Sequence, residues 1–404
     1  MAFGLVLLTL PFGYQPLANV FLLLAVISAF SSYRRQDWLL SFRFSSALWA
    51  MLLFVFYLLS QLWTSTLVEG WERLGTKLAF FIGPLLIYPA RAYLGPKFRQ
   101  PLLWAFIGGC MAASLFALGD AASESWREGA FYESFADGGR RYFFTYTALA
   151  HPVMHPGYFA TFIGLALMAA LSLWPRKQNR ILLILVCLVF LVMLWLLQSR
   201  ISMLALFVVA LIWLWSYLPK LWRWLGLGLG LLGLIAIIFI AERSESNSRY
   251  LALPQFNYDI SGDNFNSATY RLAEWACARQ AILDKPWLGH GVGDAREALF
   301  SAYRDRGFKQ GLKHRYNAHN QYLETALAIG LLGTFLLLFL GFSFLRRARR
   351  HGDRLLFYGV IFFLISLLTE SMFERAWAVL LFNLYFPLLV ITEKAPKPPG
   401  LGAD

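Results

Sequence analysis

The chain alternates between long apolar runs and short polar breaks. Apolar runs lie at about 3–14, 17–30, 45–62, 76–90, 101–118, 156–174, 181–197, 201–217, 224–241, 321–345, 355–369 and 376–392. A helix needs ~20 predominantly apolar residues to cross a hydrocarbon core of about 30 Å. A transmembrane β-barrel would instead alternate apolar and polar positions over ~10-residue segments, and these runs do not. The pattern predicts an all-α polytopic integral membrane protein with about twelve transmembrane helices. The first run is short and is separated from the second by Pro11, Gly13 and Pro16.

Two polar stretches stand out, of which 242–318 is too long to be a plain connector. The segment 119–154 holds Glu124, Glu128, Glu133 and Asp137, then Arg140, Arg141 and the sequence HPVMHPGYF. The segment 242–318 begins with loop composition and continues as SATYRLAEWACARQAIL, which has helical spacing. Ser267 or Thr269 supplies a cap and Pro286 a stop. LGHGVGDAREALFSAYRDRG reads as a second helix, opened by glycines and capped by Asp294. The expected organisation is nine transmembrane helices in 1–241, an outer, periplasmic loop with two helices in 242–318, three further transmembrane helices in 319–392, and a cytoplasmic tail, 393–404.

Composition agrees: 58% of the 404 residues are hydrophobic and 15% charged. The formal charge of +13 admits a nucleic-acid partner in principle, but the basic residues cluster in short loops at 34–43, 91–99, 176–180, 220–223, 346–354 and 394–397. With the short first run counted as a span, all six clusters share one side. The positive-inside rule makes that side cytoplasmic, together with both termini. The segments 119–154, 198–200 and 242–318 then face outward. The charge is explained without nucleic acid. Cys110, Cys187 and Cys277 are far apart and give neither a disulfide framework nor metal-ligand spacing. The N-terminus shows neither a basic n-region nor a clear cleavage site.

The stretch RYNAHNQYLETALAIGLLG, residues 315–333, places one imidazole, His319, directly before a long apolar helix. On a helical wheel Ala326 and Gly330 fall within about 20° of His319 and Gly333 within about 40°. Such a small-residue face lets a neighbouring helix approach closely in lipid; spacing alone fits a packing helix with a polar cap equally well. Arg200 sits between two apolar runs with almost no loop around it. A central arginine costs roughly 2.5–3.5 kcal/mol even on the mild insertion scale. It is either a snorkelling side chain or an anion clamp whose planar fork suits phosphate. Arg271 taken alone is a solvated surface charge, and Arg140 and Arg141 add positive potential. His151 and His155 belong to the same outer surface, where His155-Pro156-Gly157-Tyr158 reads first as a helix entry and second as a substrate contact. Gly289-His290-Gly291-Val292-Gly293 lacks the Gly-Lys-Ser/Thr ending of a phosphate loop and follows no strand; glycines permitting a tight turn explain it better.

HNQYLETALAIGLLG fits a spaced pattern: His, then Asn/Ser/Gln, nine residues, Gly, two residues, Gly/Thr. With it, the chain resembles the bacterial O-antigen ligase and O-antigen polymerase superfamily. QSR at 198–200, Tyr270-Arg271 opening a helix in the outer loop, and GHGVGD about thirty residues before the histidine are further similarities. The resemblance covers nearly the whole chain. It implies an inner-membrane glycosyltransferase of a Gram-negative bacterium, active at the periplasmic face. The donor would be a glycan on undecaprenyl diphosphate and the acceptor a sugar hydroxyl of lipid A-core, with membrane lipids around both. By the resemblance His319 matches the catalytic histidine, and Arg200 and Arg271 match the arginines that hold the diphosphate. Arg140, Arg141, His155, Tyr158, Tyr270 and Asn320 are candidate substrate contacts. No cofactor is expected, and no Asp-x-Asp pair or carboxylate cluster points to a metal.

The motif leaves the acceptor open. Polymerases that extend one lipid-linked repeat with another share it, as do ligases that glycosylate protein. The tail 393–404 carries no large added part of the kind typical of protein-glycosylating relatives, which favours the lipid A-core ligase. A transporter of lipid or polysaccharide is the reading from another class. It would predict charges buried mid-span and an internal repeat between halves; the sequence shows few of the former and no clear repeat.

Overall fold

A computed structural model describes residues 1–134, 140–174, 180–217 and 267–393, with single residues 219, 228 and 260. The expected run at 224–241, the basic residues Arg176, Lys177, Lys220 and Arg223, most of the first part of the outer insertion, and the tail beyond 393 lie outside the described residues. The remaining apolar runs are helical: α1 (Ala2–Thr9), α2 (Gln15–Ser32), α3 (Ser45–Leu59), α5 (Ala79–Ile87), α6 (Arg99–Glu128), α7 (Pro156–Leu173), α8 (Arg180–Leu196), α9 (Arg200–Tyr217), α12 (Gln321–His351), α13 (Arg354–Ser366) and α14 (Ala376–Ile391). Amphipathic α4 (Leu67–Lys77) and the insertion helices α10 (Ser267–Asp284) and α11 (Ala295–Asp305) are the other described helices of more than two turns; short helical turns lie at Arg35–Trp38, Tyr146–Ala150 and Lys309–Lys313. Among the described residues, the stretches Ser45–Trp63, Pro96–Glu128, Pro156–Leu173 and Gln321–His351 are long and apolar enough to cross a membrane. The remaining apolar helices are shorter. The protein is an all-α membrane protein.

Two departures from the sequence reading have clear causes. The run expected at 76–90 is helical only over Ala79–Ile87, because α4 claims Thr76 and Lys77. The segment before it, read as a polar loop, forms α4, whose Glu69, Arg73 and Lys77 recur every four residues and so share one face. The only described strands, β1 (Tyr132–Ser134) and β2 (Arg140–Tyr142), make a small antiparallel hairpin beyond α6, with Glu133 opposite Arg141.

α7 and α14 form the centre, buried along almost their whole lengths. Around them α2, α8 and α9 turn large apolar side chains outward, among them Leu23, Ile27, Leu185, Leu188 and Phe207. An outward apolar surface of this kind needs lipid.

Polar contacts sort the connections into two sets at opposite ends of the bundle. At one end Tyr93 donates to the Ser32 carbonyl and to Asp37, Arg91 and Arg347 lie over Phe44, Arg99 pairs with Asp353, and Arg347 pairs with Glu393. At the other end Asp294 binds Ser65 and Thr66, Lys77 binds Glu374, and Asn320 donates to Ser371. The described basic clusters at 34–43, 91–99 and 346–354 thus gather at one end, as the charge pattern requires, and His319 lies at the other.

α12 is not continuous. Ile329 (φ −132°, ψ 20°) and Gly330 (φ 68°, ψ −173°) break it, which frees carbonyls and amides that hydrocarbon cannot satisfy. The glycine-rich loop after α10 fills the break. His290 N donates to the Leu327 carbonyl at 2.8 Å, Gly291 N to Ala328 at 2.9 Å, and Leu331 N to the Pro286 carbonyl at 2.8 Å. GHGVG is therefore a backbone splint for a helix. Gly330 is spent on this break, so the small-residue face expected below His319 does not run unbroken down α12.

A Cβ at Gly330 would stand 2.1 Å from the Trp287 carbonyl oxygen, in a conformation open only to glycine. Gly330→Ala is expected to lower stability by at least about 1–3 kcal/mol. Gly95→Ala, where a Cβ meets nothing within 4 Å, is the near-neutral control. Thermal unfolding of the detergent-solubilised protein reads both.

Candidate active site

His319 stands before α12 rather than on it. Asn320 caps the helix, its Oδ1 accepting from Tyr322 N and Leu323 N at 2.9 and 3.2 Å. The preceding residue must therefore leave helical geometry, and His319 adopts φ +41°. Short contacts hold this uncommon conformation. Asn317 Oδ1 accepts from His319 N at 2.9 Å, Glu324 Oε1 accepts from Ala318 N at 2.6 Å, and Gln321 N donates to the Leu367 carbonyl at 2.9 Å. Non-glycine residues held at positive φ cluster at functional sites.

α10 lies against this turn and presents two charges three residues apart, hence on one face. Glu274 places Oε2 2.9 Å from His319 Nδ1. Arg271 places Nη2 2.9 Å from Oε1 of Glu370, in the connection between α13 and α14. Both carboxylates are almost fully buried, with side-chain exposures of 2% and 3%. Glu370 in turn sits on the first turn of α7, where a Cβ on Gly157 would meet its Oε1 at 2.4 Å. The sequence His155-Pro156-Gly157 is thus a helix entry, and its glycine leaves room for a carboxylate at the positive end of the helix. The second oxygen, Glu370 Oε2, is buried and has no hydrogen-bond partner among the described residues.

A polar cavity of about 270 Å³ opens between these elements, lined by His319, Asn317, His155, Tyr158, Glu370 and Arg375, with Gly13 and Trp377 among its other walls. Burial would lower the His319 pKa, but the negative charge of Glu274 and the hydrogen bond to it more than offset this and hold it above its usual 6.5.

The expected site residues divide accordingly. His319, His155 and Tyr158 share the cavity. Arg271 reaches its edge through Glu370 and does not line it. Tyr270 stands behind, its ring 6.1 Å from Tyr316, which in turn is 5.9 Å from His319. Asn320 is occupied as the helix cap. Arg141 is drawn to Glu124 and Glu133 of its own segment and does not line the cavity; the Arg140 side chain lies outside the described residues. Arg200 opens α9, half-buried with Nε enclosed, and does not line the cavity. Asp294, expected to cap α11, stands at the N-cap position but makes no side-chain cap bond. Its carboxylate accepts from Ser65 N and Thr66 N at 2.6 and 2.9 Å and so ties the insertion to the end of α3.

Sequence reasoning missed Glu274, Glu370 and Arg375. One signal was available: Glu370, Glu374 and Arg375 crowd into a connection of a few residues between two apolar runs.

The structure is thus an apolar helical bundle carrying a histidine-lined polar cavity, with Arg271 beside it. A family model described as O-Antigen ligase matches residues 185–338, which run from α8 into α12 and include Arg200, Arg271 and His319. Over that segment the chain is similar to the O-antigen ligase family, which supports a place in the O-antigen ligase-like superfamily. A comparison with curated proteins gave no match.

The connection that carries Glu370 and Arg375 is itself anchored by a buried ion pair. Lys77 Nζ is 2.6 Å from Glu374 Oε1 and 2.7 Å from the Phe373 carbonyl, and the Lys77 side chain is 2% exposed. Removing one member of a buried pair strands the other charge, at a cost of about 3–5 kcal/mol. Lys77→Met is expected to lose about that much stability, and Lys77→Met with Glu374→Gln to recover part of it. Thermal unfolding midpoints of the two variants test this.

Proposed function

We propose that the protein moves a glycan from undecaprenyl diphosphate to a sugar hydroxyl of lipid A-core at the periplasmic face of a bacterial inner membrane. The observation that carries this reading is the His319 imidazole opening on a polar cavity beside the Glu370–Arg271 pair, within the segment matched to the ligase family. A lipid-borne diphosphate is already a good leaving group. The reaction then needs a base at the acceptor hydroxyl and fixed positive charge on the departing oxygens. His319 supplies the base. Arg271 holds the diphosphate by exchanging its carboxylate partner for phosphate oxygens; Arg200, which the family resemblance also assigns to the diphosphate, does not line the cavity. Attack of the acceptor oxygen opposite the leaving diphosphate inverts the anomeric centre.

In proteoliposomes containing lipid-linked glycan and lipid A-core, His319→Ala is expected to slow transfer by about 10²–10⁴-fold, and Arg271→Ala by about 10²–10³-fold. Full transfer by His319→Ala removes the base assignment. Mass spectrometry of surface glycans after gene deletion identifies the acceptor. Lipid A-core lacking its long glycan, with polymer retained on the lipid carrier, is the expected result. Single unpolymerised repeats on lipid A-core would mean a polymerase, and unchanged lipopolysaccharide beside an unglycosylated protein would mean a protein ligase.

A further inference from the structure

The two nitrogens of His319 have different surroundings. Nδ1 is bonded to Glu274, while the ring borders the cavity. An ionised carboxylate only accepts, so Nδ1 carries the hydrogen and Nε2 is left with its lone pair. Glu274 has little freedom to do otherwise. Its neighbours Ala273, Cys277 and Ala278 are fully buried on the same helix, and Arg271, one turn earlier, is fixed on Glu370.

We propose that Glu274 is a positioning residue for glycan transfer, which holds His319 in the Nδ1–H tautomer and stabilises the imidazolium formed during the reaction. The proposal rests on the reading of His319 as the base. In the step, the acceptor O–H breaks and its proton goes to Nε2. The acceptor oxygen bonds to the anomeric carbon, and the carbon–oxygen bond to the diphosphate breaks with the electron pair leaving on the diphosphate. Glu274 stays ionised throughout and transfers no proton.

The other charged and titratable groups facing the imidazole are Arg271 on α10, Glu370 and Arg375 before α14, His155 and Tyr158 across the cavity, and Tyr316 on its own loop. Of these, Glu274 alone is hydrogen-bonded to the ring among the described contacts. It also gives the larger of the two carboxylate effects on His319, with Glu370 second and Arg271 opposing. A base works when deprotonated, so transfer rises with pH through the His319 pKa, and Glu274 sets that limb above 6.5. Removing its charge moves the limb to lower pH.

Glu274→Gln keeps the size of the side chain and a carbonyl acceptor but removes the charge. It is expected to lower kcat by about 10–100-fold, to leave KM for the lipid-linked glycan little changed, and to shift the alkaline-rising limb of kcat/KM to lower pH. Glu274→Asp, which keeps the charge, is expected to recover part of kcat and to hold the limb near its original place; it carries the test if the Gln variant does not fold. ¹⁵N-histidine NMR, with His319→Gln for assignment, gives a readout without turnover. The expected result is an Nδ1–H ring titrating above 6.5 in the parent and lower in Glu274→Gln. An unmoved limb and unchanged titration in Glu274→Gln, alongside an inactive His319→Ala, overturn the role of Glu274 and leave the base reading intact. Full activity of His319→Ala overturns both.

Discussion

Two carboxylates with almost no access to water, Glu274 and Glu370, govern how the outer part of this protein meets its membrane bundle. A desolvated carboxylate carries an effective penalty of several kcal/mol, which only a close partner offsets. The partners are crossed between elements. α10 contributes Arg271 to Glu370 of the bundle and Glu274 to His319 of the bundle. Rotating α10 by one residue, or sliding it by one turn, would strand both carboxylates together. The register of an extramembrane helix is therefore set by electrostatics, and with it the place of the histidine relative to the arginine.

The same helix is held at its far end by backbone. The loop following α10 splices two amides and two carbonyls into the break in α12, and Asp294 then grips the backbone at Ser65 and Thr66. Apolar packing supplies area but little direction; these polar contacts supply direction. They also tie local stability to function, since a defect at Gly330 would move α10 and so displace Glu274 from His319 without touching either.

Much of this was legible in the chain. The described apolar runs appear as helices, and the distribution of basic residues paired the right connections at one end, because membrane helices must satisfy their own backbone and therefore show their lengths plainly. The sequence singled out His319 through a spaced motif and Arg271 through the Tyr270-Arg271 pair that opens a helix. The geometry around them was not legible there. A helical wheel drawn through His319 assumed that the helix had begun, whereas Asn320 caps it one residue later and turns the imidazole toward α10. Glu274 was invisible because α10 is mixed in character all round, and a glutamate on such a helix reads as solvated until a partner covers it. Arg141 does not line the cavity and pairs instead with two glutamates of its own segment, a placement that spacing alone did not show.

The balance of charge in the cavity bears on how an anionic donor would be received. Arg271 rests on Glu370, and Arg375 lines the same space. A diphosphate would offer several acceptor oxygens where Glu370 gives Arg271 one, and its oxygens suit the planar guanidinium's two-pronged fork. When it takes over Arg271, Glu370 is left with two oxygens to satisfy, one of which already lacks a partner and lies beside the cavity. Arg375, Asn317 and Tyr158 are donor-bearing residues that line the same space. Glu370 is therefore the carboxylate at this site with acceptor capacity to spare, and that capacity grows if an anion draws Arg271 away.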